Sequence, residues 1–353
     1  MIARTKELLL LSMLASLTAS AAIERRLYVA EDQGAIYVYD VGDNHRLIRK
    51  FGVPGTGAYK GICADPKRGK IYLSSNVGYQ LVCLDLSTEA VAWSLPVKDY
   101  SDSPAITPDG RLIYLPRRYG KGWDVIDADL AKVVAFVPVP YGNPHNTWCS
   151  RDGSRMYLAA LGNENLYVAD VATHRIIKTV GPFHPNPDDP WGWTGQTHNG
   201  PKGIRPFAVT ADDKYCFVNL DGVLGYEIGD IQSGTRLGRV EIEGFKMIRG
   251  SHLTTSHGIN ITPDQTQVWV SDDAGPYVHV FDITAHPHRQ VADIKLTGKN
   301  GWVTFGIDGR YCYASSGDVI DVKTRRIVAK VVPSEKLLEI QFDNGRPVRA
   351  GTR

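Results

Sequence analysis

The sequence lacks two features that would assign a function at once. Beyond residue 22 it has no hydrophobic run approaching the ~20 residues that span a bilayer, so we expect no membrane span there. It has no excess of one charge, because 40 Lys and Arg residues oppose 38 Asp and Glu residues. Nucleic-acid binding needs a concentrated basic face, so we expect no nucleic-acid partner.

Cysteine is also scarce, and its pattern excludes several kinds of site. The five cysteines fall inside predicted strands, and an odd number does not form a complete disulfide framework. The absence of C-x-x-C and C-x-x-C-H motifs excludes covalent c-type haem and the common zinc ribbon. We therefore expect small, buried hydrophobic side chains at Cys63, Cys83, Cys149, Cys216 and Cys312.

Residues 1–22 have the pattern of a secretory signal peptide. Arg4 and Lys6 precede a short apolar stretch, and small residues at 19–21 offer a cleavage site. Cleavage removes two cations and one anion, so the net charge falls from +2 to +1. We expect residues 23–353 to form one periplasmic or extracellular domain and to act as a monomer. An uncleaved anchor is the alternative interpretation.

An acidic residue that ends a predicted strand recurs along the chain. Successive members are separated by 45, 42, 43, 57, 55 and 39 residues, and they are Asp40, Asp85, Asp127, Asp170, Glu227, Asp282 and Asp321. Units of about 40–45 residues with four short strands are typical of propeller blades, which bury their faces against neighbours in a ring. The sequence thus predicts an all-β, seven-bladed β-propeller with four-stranded antiparallel blades. We interpret the acids as turn-fixing residues, not as a catalytic array.

The strand and turn signals place the blade boundaries. Val, Ile, Tyr and Phe dominate each strand, and Asp-Gly turns such as Asp109-Gly110 close the hairpins. The first unit lacks its own first strand, which residues 337–342 supply, and this closure removes exposed sheet edges. The seventh blade is thus split across the termini, and the others lie at about 59–101, 102–142, 143–183, 203–245, 255–298 and 299–332.

Two stretches carry a resemblance to a known family. Residues 103–115 (SPAITPDGRLIYL) and 155–177, which include RMYL and LYVADVATHRII, resemble the repeats of bacterial YVTN-type seven-bladed propellers. The resemblance covers the chain after the leader. It implies the propeller fold but not one activity, since related propellers include surface proteins, lactone hydrolases, lyases and quinoprotein dehydrogenase heavy chains.

Polar residues distant in sequence are predicted to meet on one face of the ring. Links between blades share this face with the hairpins between second and third strands, and the central channel opens there. Two long insertions, 183–199 and 245–257, enter the same face and predict a lid or a partner surface, with a solvated excursion as the alternative. The catalytic candidates are His145, Arg205 and His257. The ligand-binding candidates are Lys60, Arg117, Arg118, His198, His252, Asp272 and Trp302.

The histidines among these candidates allow two kinds of chemistry. Converging imidazoles can ligate a divalent metal, with Asp272, Asp273 or Glu164 as an oxygen ligand. Equally, one histidine can act as a general base while a nearby cation neutralises a carboxylate or an oxyanion. No H-E-x-x-H motif supports the metal. The sequence therefore assigns no cofactor, and a divalent metal is one candidate.

Lactone-processing propellers offer a more specific resemblance. They place a His at the start of one blade and an Arg at the start of the next, positions that His145 and Arg205 match. They also carry a Glu after the second strand of that next blade, where this chain has Asp221.

Two hypotheses follow. The favoured one is a binding propeller that holds a small molecule, glycan or protein at the channel mouth, because a complete acid, base and cation set is missing. The alternative is a lactonase or lyase acting on an anionic sugar-like substrate, with His145 or His257 as base. A quinone-cofactor dehydrogenase would need a redox subunit or a tryptophan-derived group that this sequence does not supply.

Overall fold

The structure is a computed structural model that describes residues 23–140, 142–185, 203–247 and 254–351. Across these ranges the regular secondary structure consists of β-strands. None of the described segments forms a helix with the length and apolar character that crossing a membrane requires. The predicted signal peptide, residues 1–22, lies outside the described residues.

The strands in chain order are β1 (Ile23–Ala30), β2 (Ala35–Asp40), β3 (Arg46–Gly52), β4 (Tyr59–Asp65), β5 (Lys70–Ser75), β6 (Gln80–Asp85), β7 (Val91–Pro96), β8 (Ala105–Ile106), β9 (Leu112–Arg117), β10 (Gly122–Asp127), β11 (Lys132–Pro138), β12 (Pro144–Cys149), β13 (Arg155–Ala160), β14 (Leu166–Asp170) and β15 (Arg175–Val180). They continue as β16 (Ile204–Val209), β17 (Tyr215–Leu220), β18 (Gly225–Asp230), β19 (Thr235–Glu241), β20 (Ser256–Ile261), β21 (Gln267–Asp272), β22 (Tyr277–Asp282), β23 (Arg289–Lys295), β24 (Val303–Phe305), β25 (Tyr311–Ala314), β26 (Asp318–Asp321), β27 (Arg326–Lys330), β28 (Leu337–Asp343) and β29 (Arg346–Ala350).

These strands form seven antiparallel sheets, which are the blades of a β-propeller. Blades 2 to 7 are β4–β7, β8–β11, β12–β15, β16–β19, β20–β23 and β24–β27, and in each the first strand is innermost. The predicted fold class and blade ranges are confirmed.

Blade 1 joins the two ends of the described chain. Its sheet order is β29-β28-β1-β2-β3, so β28 is the inner strand that β1 to β3 lack. Leu27 pairs with Glu339 and Val29 with Leu337 in this antiparallel register. The predicted closure is confirmed, but the sequence reasoning missed β29, a fifth strand on the channel side of β28.

Seven hydrophobic clusters hold the ring together, and each one bridges two neighbouring blades. For example, Leu27 of blade 1 packs with Tyr311 and Tyr313 of blade 7, while Ile340 of blade 1 packs with Ile62 of blade 2. Strands with alternating side chains present one apolar set to each neighbour. The core is therefore distributed between blades around the whole ring.

The repeated acids fix turns, as predicted. Asp170 Oδ1, for example, accepts hydrogen bonds from Thr173 N at 2.8 Å and from Thr173 Oγ1 at 2.7 Å, and these bonds lower the pKa of Asp170. The assignment of Glu227 to this series is wrong. Asp230 ends β18 and accepts a hydrogen bond from Ser233 N at 2.8 Å. Glu227 lies within the strand and forms ion pairs with Arg236 and Arg239.

The cysteines behave as expected. All five lie in the described ranges, none forms a disulfide, and all except the partly buried Cys149 are buried. Burial raises the pKa of the Cys83, Cys149 and Cys216 thiols to about 12, so thiolates are disfavoured at neutral pH.

Candidate functional site

Four of the inner strands carry a β-bulge at the same height in the ring. One extra residue is inserted between Tyr59 and Gly61, between Pro144 and Thr147, between Ile204 and Phe207, and between Ser256 and Ile259. In a regular strand, side chains point to the two neighbouring blades and not to the axis. A bulge re-aims a side chain. The residues at the four bulges include Lys60, His145, Arg205 and His257.

Two histidines from non-adjacent blades meet at this height. His145 lies in blade 4 and His257 in blade 6, yet their ring centroids are 6.1 Å apart with an interplanar angle of 80°. They are 8% and 3% exposed. Because blade 5 lies between their strands, this approach requires both side chains to project toward the channel axis.

Asp102 connects this histidine pair to blade 3. Its Oδ2 lies 3.6 Å from His145 Nε2 and 3.4 Å from Arg118 Nε. Burial lowers the pKa of the Arg118 guanidinium, the Asp102 carboxylate opposes this change, and the Arg205 guanidinium adds to it. The effect of Arg205 places a second cation, from blade 5, within electrostatic range of Arg118.

Arg205 is held by a carboxylate of its own blade. Its Nε donates to Asp221 Oδ1 at 2.5 Å, and Asp221 Oδ2 also accepts from Gly203 N at 3.3 Å. Arg205 is 2% exposed and Asp221 is fully buried. Removing one partner of such a pair leaves an uncompensated buried charge, which costs about 3–5 kcal/mol.

The tautomer of His257 is fixed by the backbone of blade 7. Its Nδ1 lies 2.8 Å from Gly301 O, and a carbonyl only accepts, so Nδ1 carries the proton. The neutral ring therefore presents Nε2 as an acceptor. The centroids of the His257 ring and the Trp302 indole lie 6.0 Å apart. The backbone carbonyl of His257 accepts a hydrogen bond from Asn219 Nδ2.

Lys60 lies on the blade 1 and blade 2 side of the mouth. Burial lowers the pKa of its ammonium, but Tyr100 and the carboxylates of Asp102, Asp32 and Glu335 outweigh burial, so the net pKa is raised. The lysine is consequently protonated at neutral pH. We name Lys60, Asp102, Arg118, His145, Arg205, Asp221 and His257 the mouth cluster.

Two candidates lie apart from this cluster. Arg117 points along its own blade, where Nε donates to Asp124 Oδ2 at 2.8 Å and the guanidinium lies 4.4 Å from the Phe136 ring centroid. Asp272 caps its hairpin by accepting from Ala274 N at 2.9 Å and Gly275 N at 3.0 Å.

The predicted metal site is only partly described. His198 and His252 lie outside the described residues, as does most of both insertions. Within the part of the chain that is described, no three His, Cys, Asp or Glu side chains are grouped to hold a metal ion. The four-histidine ligand set therefore stays a prediction.

Sequence reasoning gave no site role to Asp102 or Asn219. Both lie where a strand meets the mouth face, which was a usable signal. Their partners belong to other blades, however, and single-sequence patterns do not give those pairings.

A cavity of about 620 Å³ lies in the channel below the mouth cluster. Ser103, Asn146 and Trp302 line its upper part, and the turns between first and second strands surround its other end. The channel thus has a polar upper end and a separate open volume beneath it.

No family model and no curated protein match this chain. A solved structure titled Kuenenia stuttgartiensis hydrazine synthase is similar over 77% of this chain and 78% of that one, with 17% identity and a TM-score of 0.59. Dihydro-heme d1 dehydrogenase NirN in complex with DHE is similar over 93% of this chain and 72% of that one, with 14% identity and a TM-score of 0.60. These likenesses show the propeller fold, while the YVTN-type assignment stays a prediction.

Proposed function

We propose that this protein is a binding propeller that holds a small carboxylate-bearing molecule at the mouth of its central channel. The observation that carries this proposal is the approach of His145 and His257 from non-adjacent blades to 6.1 Å between ring centroids. Regular inner strands would not aim side chains at the axis, so the bulges serve the site and not the ring packing.

Charge favours an anionic group at this point. Arg118 and Arg205 approach from blades 3 and 5, and their carboxylate partners Asp102 and Asp221 fix their orientation. Guanidinium groups donate hydrogen bonds to carboxylates, and so does the His257 ring once Nε2 is protonated; each such charge-assisted bond contributes about 1.5–3 kcal/mol. The NirN structure is titled as a complex with DHE, which is compatible with a binding role for a ring of this shape.

We propose a family, a location and an oligomeric state as well. The protein is a YVTN-type propeller, exported by the signal peptide at residues 1–22 to the periplasm or the cell exterior, and it acts as a monomer. A glycan or a protein surface that presents carboxylates is an alternative partner for the same mouth.

The binding test uses galacturonate and citrate, with galactose as the neutral comparison. We expect calorimetric titration of the exported protein to detect at least one of the two carboxylates and no galactose. His145→Gln and His257→Gln keep a hydrogen-bonding side chain but lose the imidazole, so each should raise Kd at least tenfold, which corresponds to about 1.4 kcal/mol.

His288→Gln is the matched control for this test. His288 is a hydrogen-bonded histidine, with Nδ1 at 2.8 Å from Tyr226 Oη, but it lies in a turn between third and fourth strands on the opposite face. Its Kd should equal the wild-type value. Equal affinities for all three variants, or binding of galactose as tightly as galacturonate, would refute the mouth site.

A lactonase or lyase is the second candidate function, and one contact favours it. Asp102 Oδ2 lies 3.6 Å from His145 Nε2, an arrangement in which an acid orients a general base. Arg205 would stabilise the developing oxyanion. Hydrolysis of a uronic acid lactone that disappears in His145→Gln but persists in His288→Gln would identify the enzyme.

A further inference from the structure

The lower part of the central channel is a second candidate site, distinct from the mouth cluster. Its cavity of about 620 Å³ is lined by the inner strands of all seven blades and by β29. Volumes of about 300–1,000 Å³ accommodate small-molecule ligands. The cavity is therefore large enough for an organic molecule.

The walls of this cavity are largely apolar. The apolar lining residues that keep partial exposure include Ala64, Ala105, Ile106, Trp148, Cys149 and Ala350. β29 adds Val348, which is 46% exposed although it belongs to a strand inside the channel. Apolar surface of this kind gains free energy when a hydrocarbon group displaces water from it.

The lower rim of the cavity is cationic. Lys67, Arg151 and Arg349 line it and are exposed. Of the ion pairs formed by the described residues, none involves these three side chains.

Two acids are among the residues that line the cavity, and both have partners. Asp65 Oδ2 lies 2.9 Å from Arg68 Nη1, and Asp213 Oδ1 accepts from Tyr157 Oη at 3.0 Å. Burial raises the pKa of Asp213, while the Tyr157 bond opposes this change. Among the residues that line the cavity, three cations therefore outnumber two carboxylates.

We infer that this cavity binds a medium-chain amphipathic carboxylate, with its hydrocarbon part in the channel and its carboxylate at the rim. A neutral hydrocarbon would leave the three rim cations unused, and an amphipathic cation would be repelled by them. This site lies on the opposite face from the mouth cluster and does not depend on the function proposed above.

The test titrates dodecanoate, dodecanol and dodecyltrimethylammonium into the full protein below their aggregation concentrations. Dodecanoate should bind at least tenfold more tightly than dodecyltrimethylammonium, with dodecanol between them. Lys67→Glu and Arg151→Glu should each weaken dodecanoate binding at least tenfold. Lys132→Glu, which changes an exposed lysine on the outermost strand of blade 3, should leave it unchanged.

A filling variant tests the location of the hydrocarbon part. Ala350 lines the cavity at the end of β29, so Ala350→Trp should abolish dodecanoate binding while the thermal unfolding midpoint stays within a few degrees of wild type. His257→Gln should leave dodecanoate binding within twofold, which separates this site from the mouth. Equal binding of the anionic and cationic probes, or wild-type affinity in Ala350→Trp or in both rim variants, would overturn the inference.

Discussion

His45 shows how one residue can couple two blades far from the mouth. It lies in a turn between strands of blade 1, yet it is only 4% exposed and packs against the Tyr311 ring of blade 7 with centroids 4.8 Å apart. Tyr313 Oη donates to Glu339 Oε2 at 3.1 Å and lies 3.2 Å from His45 Nε2. The chain of polar contacts therefore links the closing blade to its neighbour.

The contribution of His45 to stability depends on pH. Burial, together with the Arg25 and Arg310 guanidinium groups, lowers the pKa of His45 to about 4. The unfolded chain takes up a proton near pH 6.5, so His45 makes the folded state less stable as pH falls from about 6.5 to about 4. The slope from this one group is at most about 1.4 kcal/mol per pH unit.

His45→Asn removes this titration and tolerates the positive φ of 58° at the site. Urea unfolding at pH 7, 6 and 5 gives the free energy of unfolding of each protein. The difference between wild type and His45→Asn should become smaller as pH falls. Burial and His286 lower the pKa of His288 to about 4 as well. His288 is present in both proteins, so its effect cancels in the difference between their free energies of unfolding. Parallel stability curves for the two proteins would contradict the assignment.

At the scale of the element, the bulged inner strand combines a functional residue with a packing residue. His257 is followed by Gly258, and an added Cβ at Gly258 would lie 2.6 Å from Trp302 Cα and 2.9 Å from Gly301 O. The segment that precedes β24 of blade 7 thus approaches the bulge so closely that only glycine fits. The same approach brings Gly301 O to the His257 ring.

Gly258→Ala should therefore push β20 away from the segment before β24 and disturb the mouth cluster. We expect a loss of about 1–3 kcal/mol of stability, as for other overpacked sites, and weaker carboxylate binding. Gly238→Ala is the control, because a Cβ there would meet no atom within 4 Å. Chemical denaturation of both variants checks this, and an equal stability of Gly258→Ala and wild type would show that the strand moves freely.

At the scale of the whole molecule, stability depends on ring closure. Leu337, Leu338, Ile340 and Phe342 of β28 are all at most 1% exposed, and they complete the clusters shared with blades 2 and 7. Full burial of one such side chain contributes about 1.5–3 kcal/mol. Four of them rival the total stability of a domain, which is about 5–15 kcal/mol.

Removing residues 337–353 should therefore abolish cooperative thermal unfolding and expose the edge of β1 to aggregation. Removing only 346–353 deletes β29, which pairs with β28 alone, and should leave a cooperative transition. Calorimetry of both truncated proteins measures whether each one unfolds in a cooperative transition. A cooperative transition in the longer deletion would mean that six blades and an incomplete seventh suffice.

The sequence by itself determined the number of blades, their boundaries and the split closure, because these depend on local strand and turn signals that recur along the chain. It also placed Lys60, His145, Arg205 and His257 on one face. It misassigned Glu227 because an aromatic-acid-aliphatic pattern occurs within β18 as well as at strand ends.

Only the tertiary structure decided which side chains meet. The contact of His145 with His257, the partner of Arg118, and the position of β29 inside the channel depend on pairings between blades. Propeller blades contact one another through side chains across a ring, and residues more than a hundred positions apart leave no local periodicity that records such contacts. The physical reason is that a bulge is a feature of strand pairing, so one strand's sequence does not define it.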